Sequence, residues 1–131
     1  MTEPYAGSDV AGIRTTAVRD GDFFVVNGIK KFITAGMYAD YFTTAVRTGG
    51  DGMGGVSLLL IERTFKGVHC SRLKTQGWAS SSTTLVRFED VRVPVVNLIG
   101  QENRGFLPIM LNFNQERFGG VIAATRFARD W

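Results

Sequence analysis

The spacing of hydrophobic and polar residues changes once along the chain, near Gly100. Before that point, short apolar runs separated by Gly, Asn and Asp predict strands joined by turns. The predicted strands are Ile13–Arg19, Phe23–Val26, Ile29–Thr34, Tyr41–Arg47, Val56–Glu62, Gly67–Leu73 and Thr83–Glu89. About seven short strands without a helical run predict a mostly β fold, either a small β-barrel or an orthogonal sandwich.

Two turns are predicted from their residue types. Asp20-Gly21-Asp22 separates two strand candidates and predicts a hairpin. Asn27-Gly28 predicts a second hairpin, because both residues tolerate a positive φ. The stretch Thr48–Gly55 holds five glycines and is interpreted as a loop.

After Gly100 the apolar residues follow helical spacing. Phe106, Ile109, Met110 and Phe113 share one stripe, which predicts a single helix from about Gly105 to Asp130. Asn103 is the candidate N-cap of this helix. The apolar stripe has no evident partner within the chain, so we expect residues 1–104 to be one domain and residues 105–131 the truncated start of another.

Composition excludes several other classes of protein. The 131 residues are 44% hydrophobic and 21% charged, which is typical of a globular domain. The net charge of +3 comes from scattered Lys and Arg, which disfavours nucleic-acid binding. The longest uncharged apolar run, Val56–Ile61, is too short to span a membrane. His69 and Cys70 are adjacent on a predicted strand and point to opposite faces, so they make a poor metal pair.

Four segments carry a family resemblance. Residues 1–9 (M-T-E-P-Y-A-G-S-D) are similar to the signature T-E-P-x-A-G-S-D of the acyl-CoA dehydrogenases. Residues 27–34 (N-G-I-K-K-F-I-T) and 88–94 (F-E-D-V-R-V-P) resemble that family's N-G-x-K-x-W-I-T and F-E-D-V-x-V-P segments. Residues 99–106 (I-G-Q-E-N-R-G-F) resemble the entry into its C-terminal helical domain.

The resemblance implies the middle β-domain, plus the first helix of the C-terminal domain, of a three-domain flavoenzyme. Such an enzyme uses FAD to oxidise acyl-CoA to trans-2-enoyl-CoA and passes electrons to an electron-transfer flavoprotein. It also implies a tetramer or dimer, in the mitochondrial matrix of a eukaryote or the cytoplasm of a bacterium. The alternatives are an acyl-CoA oxidase or another flavoenzyme of the same fold, and a non-catalytic β-module.

The same resemblance assigns candidate FAD contacts. They are Met1, Thr2, Phe32, Ile33 and Thr34. Phe32 stands where Trp is commonest in the family. An aromatic ring at this position can still pack on the flavin, but the indole N–H donor is lost.

Candidate substrate residues follow from the same motifs. The resemblance implies that Ser8, Asn114 and Arg117 contact the CoA portion of the substrate. Gln115-Glu116-Arg117 resembles the long-chain and isovaleryl types, which place the catalytic glutamate on this helix. We therefore expect Glu116 to be the base, with a pKa raised by an apolar pocket. The alternatives are an exposed helix glutamate, and a second glutamate in the segments that follow.

Overall fold

Seven strands form one sheet in the computed structural model, which describes residues 1–130. They are β1 (Thr16–Asp20), β2 (Phe23–Ile33), β3 (Tyr41–Arg47), β4 (Val56–Glu62), β5 (Val68–Arg72), β6 (Thr84–Pro94) and β7 (Leu98–Ile99). The order across the sheet is β5-β6-β2-β1-β3-β4-β7. One helix, α1 (Phe106–Arg129), follows the sheet. The predicted mostly β fold with seven strands and one C-terminal helix is confirmed.

All the neighbouring strands are antiparallel except β1 and β3, which are parallel and pair only at Thr16 and Arg47. The Arg47 amide donates to the carbonyl of Thr15 at this junction, over 2.7 Å. The sheet therefore consists of two ladders, β5-β6-β2-β1 and β3-β4-β7, joined by very little backbone pairing. Within residues 1–130, β5 and β7 do not pair with each other. The sheet is thus curled and open, not a closed barrel.

The first predicted hairpin is confirmed and the second is wrong. Asp20 pairs with Phe23 across the turn between β1 and β2. Asn27 and Gly28, in contrast, lie inside β2, where the register against β6 shifts. The Asn27 side chain and Asp90 of β6 exchange two hydrogen bonds of 2.9 Å. The Asn-Gly pair forms no turn, because β6 is long enough to pair with both halves of β2. The extra residue of the bulge is on β6, where the partners of Val26 and Gly28 are Val91 and Phe88 and Asp90 has a φ of 49°.

Two predicted strands are therefore one strand, and the count of seven is completed by β7. This strand has only two residues, which pair with Leu58 and Leu59. A two-residue strand leaves no alternation of polar and apolar positions in the sequence, so the apolar pattern did not predict it.

The main core lies inside the curl of the sheet. Strands β4 and β6, which are not neighbours in the sheet, contact each other there. Phe24 and Leu59 are fully buried at its centre. The other buried members are Ala17, Val26, Phe42, Val46, Ile61, Val86, Phe88, Val91 and Val93. One face of each long strand supplies this core, which is the alternation expected for a half-buried sheet.

A second cluster fixes the start of α1 on the outside of the sheet. Ile109 is buried against Val56, Leu58 and Ala45, with Phe113 half-buried beside them. After Phe113 every described residue of α1 is exposed. The exposed apolar side chains of the helix are Leu107, Leu111, Phe118, Val121, Ile122 and Phe127. Trp131, the last residue of the predicted second unit, lies outside the described residues.

The predicted N-cap is wrong. The residue before the first helical turn is Gly105, and no side chain caps the helix. Asn103 instead adopts a φ of 62°, and its backbone N–H donates a hydrogen bond to the Ser57 hydroxyl over 2.7 Å. Its side-chain oxygen accepts a 2.8 Å hydrogen bond from Thr48. Asn103 therefore fixes where the helix leaves the sheet. Across residues 1–130, no helix is long and apolar enough to cross a membrane.

We predict that Gly28→Ala destabilises the fold. Gly28 has a φ of 151°, and an added Cβ would lie 2.7 Å from the Cα of Thr15. The expected loss in the free energy of unfolding is about 1–3 kcal/mol, measured by urea denaturation. Gly50→Ala is the matched control, because a Cβ there meets nothing within 4 Å. Equal stabilities of the two variants would contradict the bulge geometry.

Candidate functional site

Three adjoining cavities surround Met1 at one end of the curled sheet. Their volumes are about 360, 180 and 10 Å³. We call the combined space the Met1 cleft. Its β2 side includes Lys30, Ile33 and Thr34, its β3 side Tyr41, Thr43 and Thr44, and its α1 side Ile109, Asn112 and Phe113. The cleft therefore lies where the two ladders of the sheet and the first turns of α1 meet.

Four of the five predicted FAD contacts line this cleft. They are Met1, Thr2, Ile33 and Thr34. Backbone pairing brings the two segments together, because the Lys31 amide donates to the Thr2 carbonyl over 2.8 Å. Residues that are 29 or more positions apart in the sequence thus form one wall. Their contact with FAD remains a prediction.

Phe32, the fifth predicted contact, lies beside the cleft. It has a φ of 61° and sits in the second register shift of β2, between Lys30 and Ile33. Its ring is 58% exposed, and the Lys31 ammonium lies 4.8 Å from the ring centre. A bulky residue in the left-handed region carries backbone strain, which proteins retain mainly at functional positions. This geometry leaves more than half of the aromatic side chain exposed, with Lys31 over the ring.

The carboxylate of Glu3 joins three separate segments beneath this wall. It accepts hydrogen bonds from the Arg14 amide (2.6 Å), the Thr15 amide (3.0 Å) and the Lys30 ammonium (2.6 Å). Residues 1–9 contain no strand, so the side chain of Glu3 provides the pairing that a strand would obtain from its backbone. Thr2, the neighbour of Glu3, is thereby held against β2.

Glu3 and Lys30 form a buried ion pair. Their side chains are 3% and 2% exposed. Burial raises the pKa of Glu3. The charge and hydrogen bond of Lys30, together with the hydrogen bonds from Thr15 and Arg14, lower that pKa by more than burial raises it, so the pKa of Glu3 lies below its ordinary value. Burial lowers the pKa of Lys30, and the carboxylate of Glu3 only partly restores it. Isolated charges at these positions would be costly, so each charge depends on the other.

A second cation fixes the loop that carries Ser8. The guanidinium of Arg47 donates to the carbonyls of Ala11 (2.6 Å) and Ile13 (3.1 Å) on one side. On the other side it donates to Gly50 (2.7 Å) and Gly52 (2.8 Å). The glycine-rich loop is therefore pinned to the segment that follows the signature. Ser8 itself is exposed, and its neighbour Gly7 lines the cleft.

The predicted base lies on the exposed part of α1. Glu116 does not line the cleft, but it is hydrogen-bonded to Asn112, which does (Nδ2 to Oε1, 2.6 Å). One helical turn therefore separates the carboxylate from the cleft. The apolar pocket expected around Glu116 is not formed by residues 1–130, because no other described segment contacts this part of the helix. The role of Glu116 remains a prediction.

Asn114 and Arg117, the other predicted substrate contacts on α1, are also exposed. The Arg117 guanidinium lies 5.8 Å from the ring centre of Phe113, which lines the cleft. The structure thus brings Met1, Thr2, Ile33 and Thr34 together and leaves Ser8, Asn114, Glu116 and Arg117 exposed outside the cleft.

The sequence reasoning missed Glu3, Lys30 and Asn112. A signal for Lys30 was present, because Phe24, Val26 and Lys30 share the inward face of β2 by their even spacing. A lysine at such a position requires a buried counter-ion. The only missing information was which carboxylate would reach it.

Metal and thiol chemistry find no support among the described residues. Residues 1–130 contain no group of three His, Cys, Asp or Glu side chains that could hold a metal ion. Burial raises the pKa of Cys70, and Arg63 opposes this only in part, so the thiol is not activated as a nucleophile.

Comparison with known proteins gives a consistent result. The family model described as acyl-CoA dehydrogenase, middle domain, matches residues 1–91. The chain is 52% identical to the acyl-CoA dehydrogenase apdG of Emericella nidulans, over 98% of this chain and 30% of that protein. It is 40% identical to the mitochondrial isobutyryl-CoA dehydrogenase of Bos taurus, over 100% of this chain and 33% of that protein.

A solved structure agrees. A probable acyl-CoA dehydrogenase from Mycobacterium abscessus superposes with a TM-score of 0.88 at 60% identity, over 90% of this chain and 32% of that one. The chain therefore spans about a third of the length of the proteins that it matches.

We predict that Lys30→Ala lowers the free energy of unfolding by about 3–5 kcal/mol, because it leaves a buried carboxylate without its partner. Glu89→Ala is the control. Glu89 lies 3.4 Å from both His69 and Arg87 but is 55% exposed, so its removal should cost less than about 1 kcal/mol. Urea unfolding of both variants measures the difference. Similar losses would show that the Glu3–Lys30 pair is not specially stabilising.

Proposed function

Since the chain belongs to the acyl-CoA dehydrogenase family, we propose that the full-length protein is an FAD-dependent enzyme that oxidises acyl-CoA to trans-2-enoyl-CoA. One observation carries the proposal: the Met1 cleft gathers Met1, Thr2, Ile33 and Thr34 on one wall and places α1 on the other. The reaction needs a cofactor, which the first wall would hold, and a base, which α1 would supply one turn beyond the second wall.

The residues present fit FAD. An exposed aromatic ring at Phe32 and the hydroxyl of Thr34 suit a flat ring system with polar edges. The backbone of Met1 and Thr2 and the side chain of Ile33 complete the same wall. Bound FAD supplies the hydride acceptor for the β-carbon of the substrate.

Glu116 is proposed to take the α-proton. As the C–H bond at the α-carbon breaks, its electron pair forms the new double bond while the β-hydrogen leaves as hydride. Asn112 holds Oε1 of the carboxylate at 2.6 Å, so Oε2 is free to accept the proton. A carboxylate with one oxygen fixed has fewer orientations to lose when the substrate is bound.

The CoA portion of the substrate is assigned to the rim of the cleft. Ser8 offers a hydroxyl on the loop that Arg47 pins, and Arg117 offers a cation one turn beyond Phe113. Asn114 is the third candidate. A positive side chain at the rim also suits the phosphates of CoA.

The remaining assignments follow from the family. We propose that residues 105–131 begin a further helical domain, whose other helices cover the exposed apolar side of α1. We also propose an electron-transfer flavoprotein as electron acceptor and a homo-oligomeric enzyme. The apolar side chains that α1 leaves exposed after Phe113 support the first of these proposals, because soluble domains seldom expose such a stripe.

We predict that the full-length protein is purified with oxidised flavin, and that its visible absorbance bleaches on anaerobic addition of acyl-CoA. Glu116→Gln should still bind FAD but reduce it about a hundredfold to ten-thousandfold more slowly, because proton removal is lost. Gln115→Ala is the control on the neighbouring residue. If the flavin of Glu116→Gln bleaches as fast as that of the unaltered protein, another residue is the base.

The 131-residue chain alone is predicted to be inactive. It offers one wall for FAD and leaves Glu116 in solvent, so acyl-CoA should not bleach added FAD in its presence. Equilibrium dialysis should show weak FAD binding or none. Turnover of acyl-CoA by the isolated chain would contradict the proposal that the reaction needs more than these 131 residues.

A further inference from the structure

The buried ion pair presents only its positive end to the Met1 cleft. Lys30 lines the 180 Å³ cavity, next to Ile33 and Thr34. Glu3 does not line it, because its carboxylate faces the amides of Arg14 and Thr15. The pair is neutral as a whole, but the ammonium lies nearer to the cleft than the carboxylate, so the electrostatic potential in the cleft is positive.

The ammonium also has unused hydrogen-bonding capacity. An ammonium group carries three N–H donors. Within residues 1–130, the recorded acceptor for Lys30 is Glu3 Oε1 alone. Apolar side chains and the hydroxyls of Thr34, Tyr41, Thr43 and Thr44 surround it in the cavity, and among the described residues none of these hydroxyls accepts a hydrogen bond from Lys30. The remaining N–H donors of the ammonium can therefore bind an acceptor that occupies the cavity.

Packing alone does not explain a lysine here. Buried ion pairs can often be replaced by apolar residues of similar volume without loss of stability. Inward neighbours on β2, such as Phe24 and Val26, are apolar. Lys30 lies on the same inward face, and apolar packing does not require a charge there. We therefore explain the charge of Lys30 by an interaction with a ligand.

We propose that Lys30 binds the flavin in the Met1 cleft and stabilises the negative charge that reduction brings there, and that Glu3 is the positioning residue that holds Lys30 in place. This inference rests on the proposed function. A cation beside a ring that gains electrons favours the reduced state, and the effect is large where water is excluded. Arg47, the other cation that acts on Lys30, has its donors occupied by backbone carbonyls.

The first test uses the full-length holoprotein and the double variant Glu3→Gln/Lys30→Met, which replaces the ion pair with neutral residues of similar length. Its thermal unfolding midpoint should stay close to that of the unaltered protein. FAD should dissociate about tenfold more readily, which fluorescence of released flavin reports. The preference for reduced over oxidised flavin should also fall about tenfold, a shift of about 30 mV toward negative potential for a two-electron couple. Lys66→Met, an exposed lysine far from the cleft, is the control.

The second test keeps the fold with a smaller change. Glu3→Gln alone keeps an acceptor oxygen for the Thr15 amide, places an NH2 group against the Arg14 amide, and leaves Lys30 beside Arg47 without its carboxylate, which lowers the pKa of Lys30 further. As pH rises through that pKa, the ammonium is lost. The flavin spectrum and midpoint potential of this variant should therefore gain a pH-dependent step that the unaltered protein lacks.

The outcomes separate the two proposals. Unaltered protein that takes up no FAD would remove the proposed function and this inference together. If the unaltered protein binds FAD and the double variant has the same FAD affinity and midpoint potential, the proposed role of Lys30 is overturned and the proposed function is not. Absence of a pH-dependent step in Glu3→Gln would overturn it as well.

Discussion

A carboxylate buried against an ammonium organises this end of the molecule. Within residues 1–130, Glu3 alone ties the strandless signature segment to β2 and to residues 14–15 by side-chain hydrogen bonds. Because both charges are almost completely buried, neither tolerates displacement without exposing the other to an apolar surrounding. The wall formed by Met1, Thr2, Ile33 and Thr34 takes its shape from that constraint.

The rest of the site follows by short connections from the sheet. Arg47 fixes the loop after Ser8 through four backbone carbonyls. Thr48, Ser57 and Asn103 fix the exit toward α1. Burial of Ile109 then sets the direction of the helix, and with it the turn that holds Asn112 and Glu116. Hydrogen bonds of Arg47 and Asn103 and the burial of Ile109 thus determine the positions of Ser8 and Glu116.

Much of this arrangement could be predicted from the sequence, and the failures have physical causes. Periodicity predicted the helix and most of the strands, because those signals are local, but it divided β2 into two and ended β6 at Glu89 instead of Pro94. Asn27-Gly28 was misleading because β2 continues through this pair: the partner strand β6 pairs on both sides of it and accommodates one extra residue there. The pairing of Glu3 with Lys30 depends on contacts 27 positions apart, which spacing cannot reveal. Glu116 was predicted from its neighbours in the motif, and residues 1–130 leave its side chain exposed, so its role stays a prediction.

The junction at Thr16 and Arg47 has a consequence for how the domain responds to force and heat. The two ladders of the sheet meet there in a single paired position and are otherwise joined by side-chain packing. The Met1 cleft spans this junction, with Lys30 on one ladder and Thr43 on the other. A ligand held from both sides would add contacts between the two ladders beyond their shared core, so occupancy would raise the free energy of unfolding of the domain as a whole.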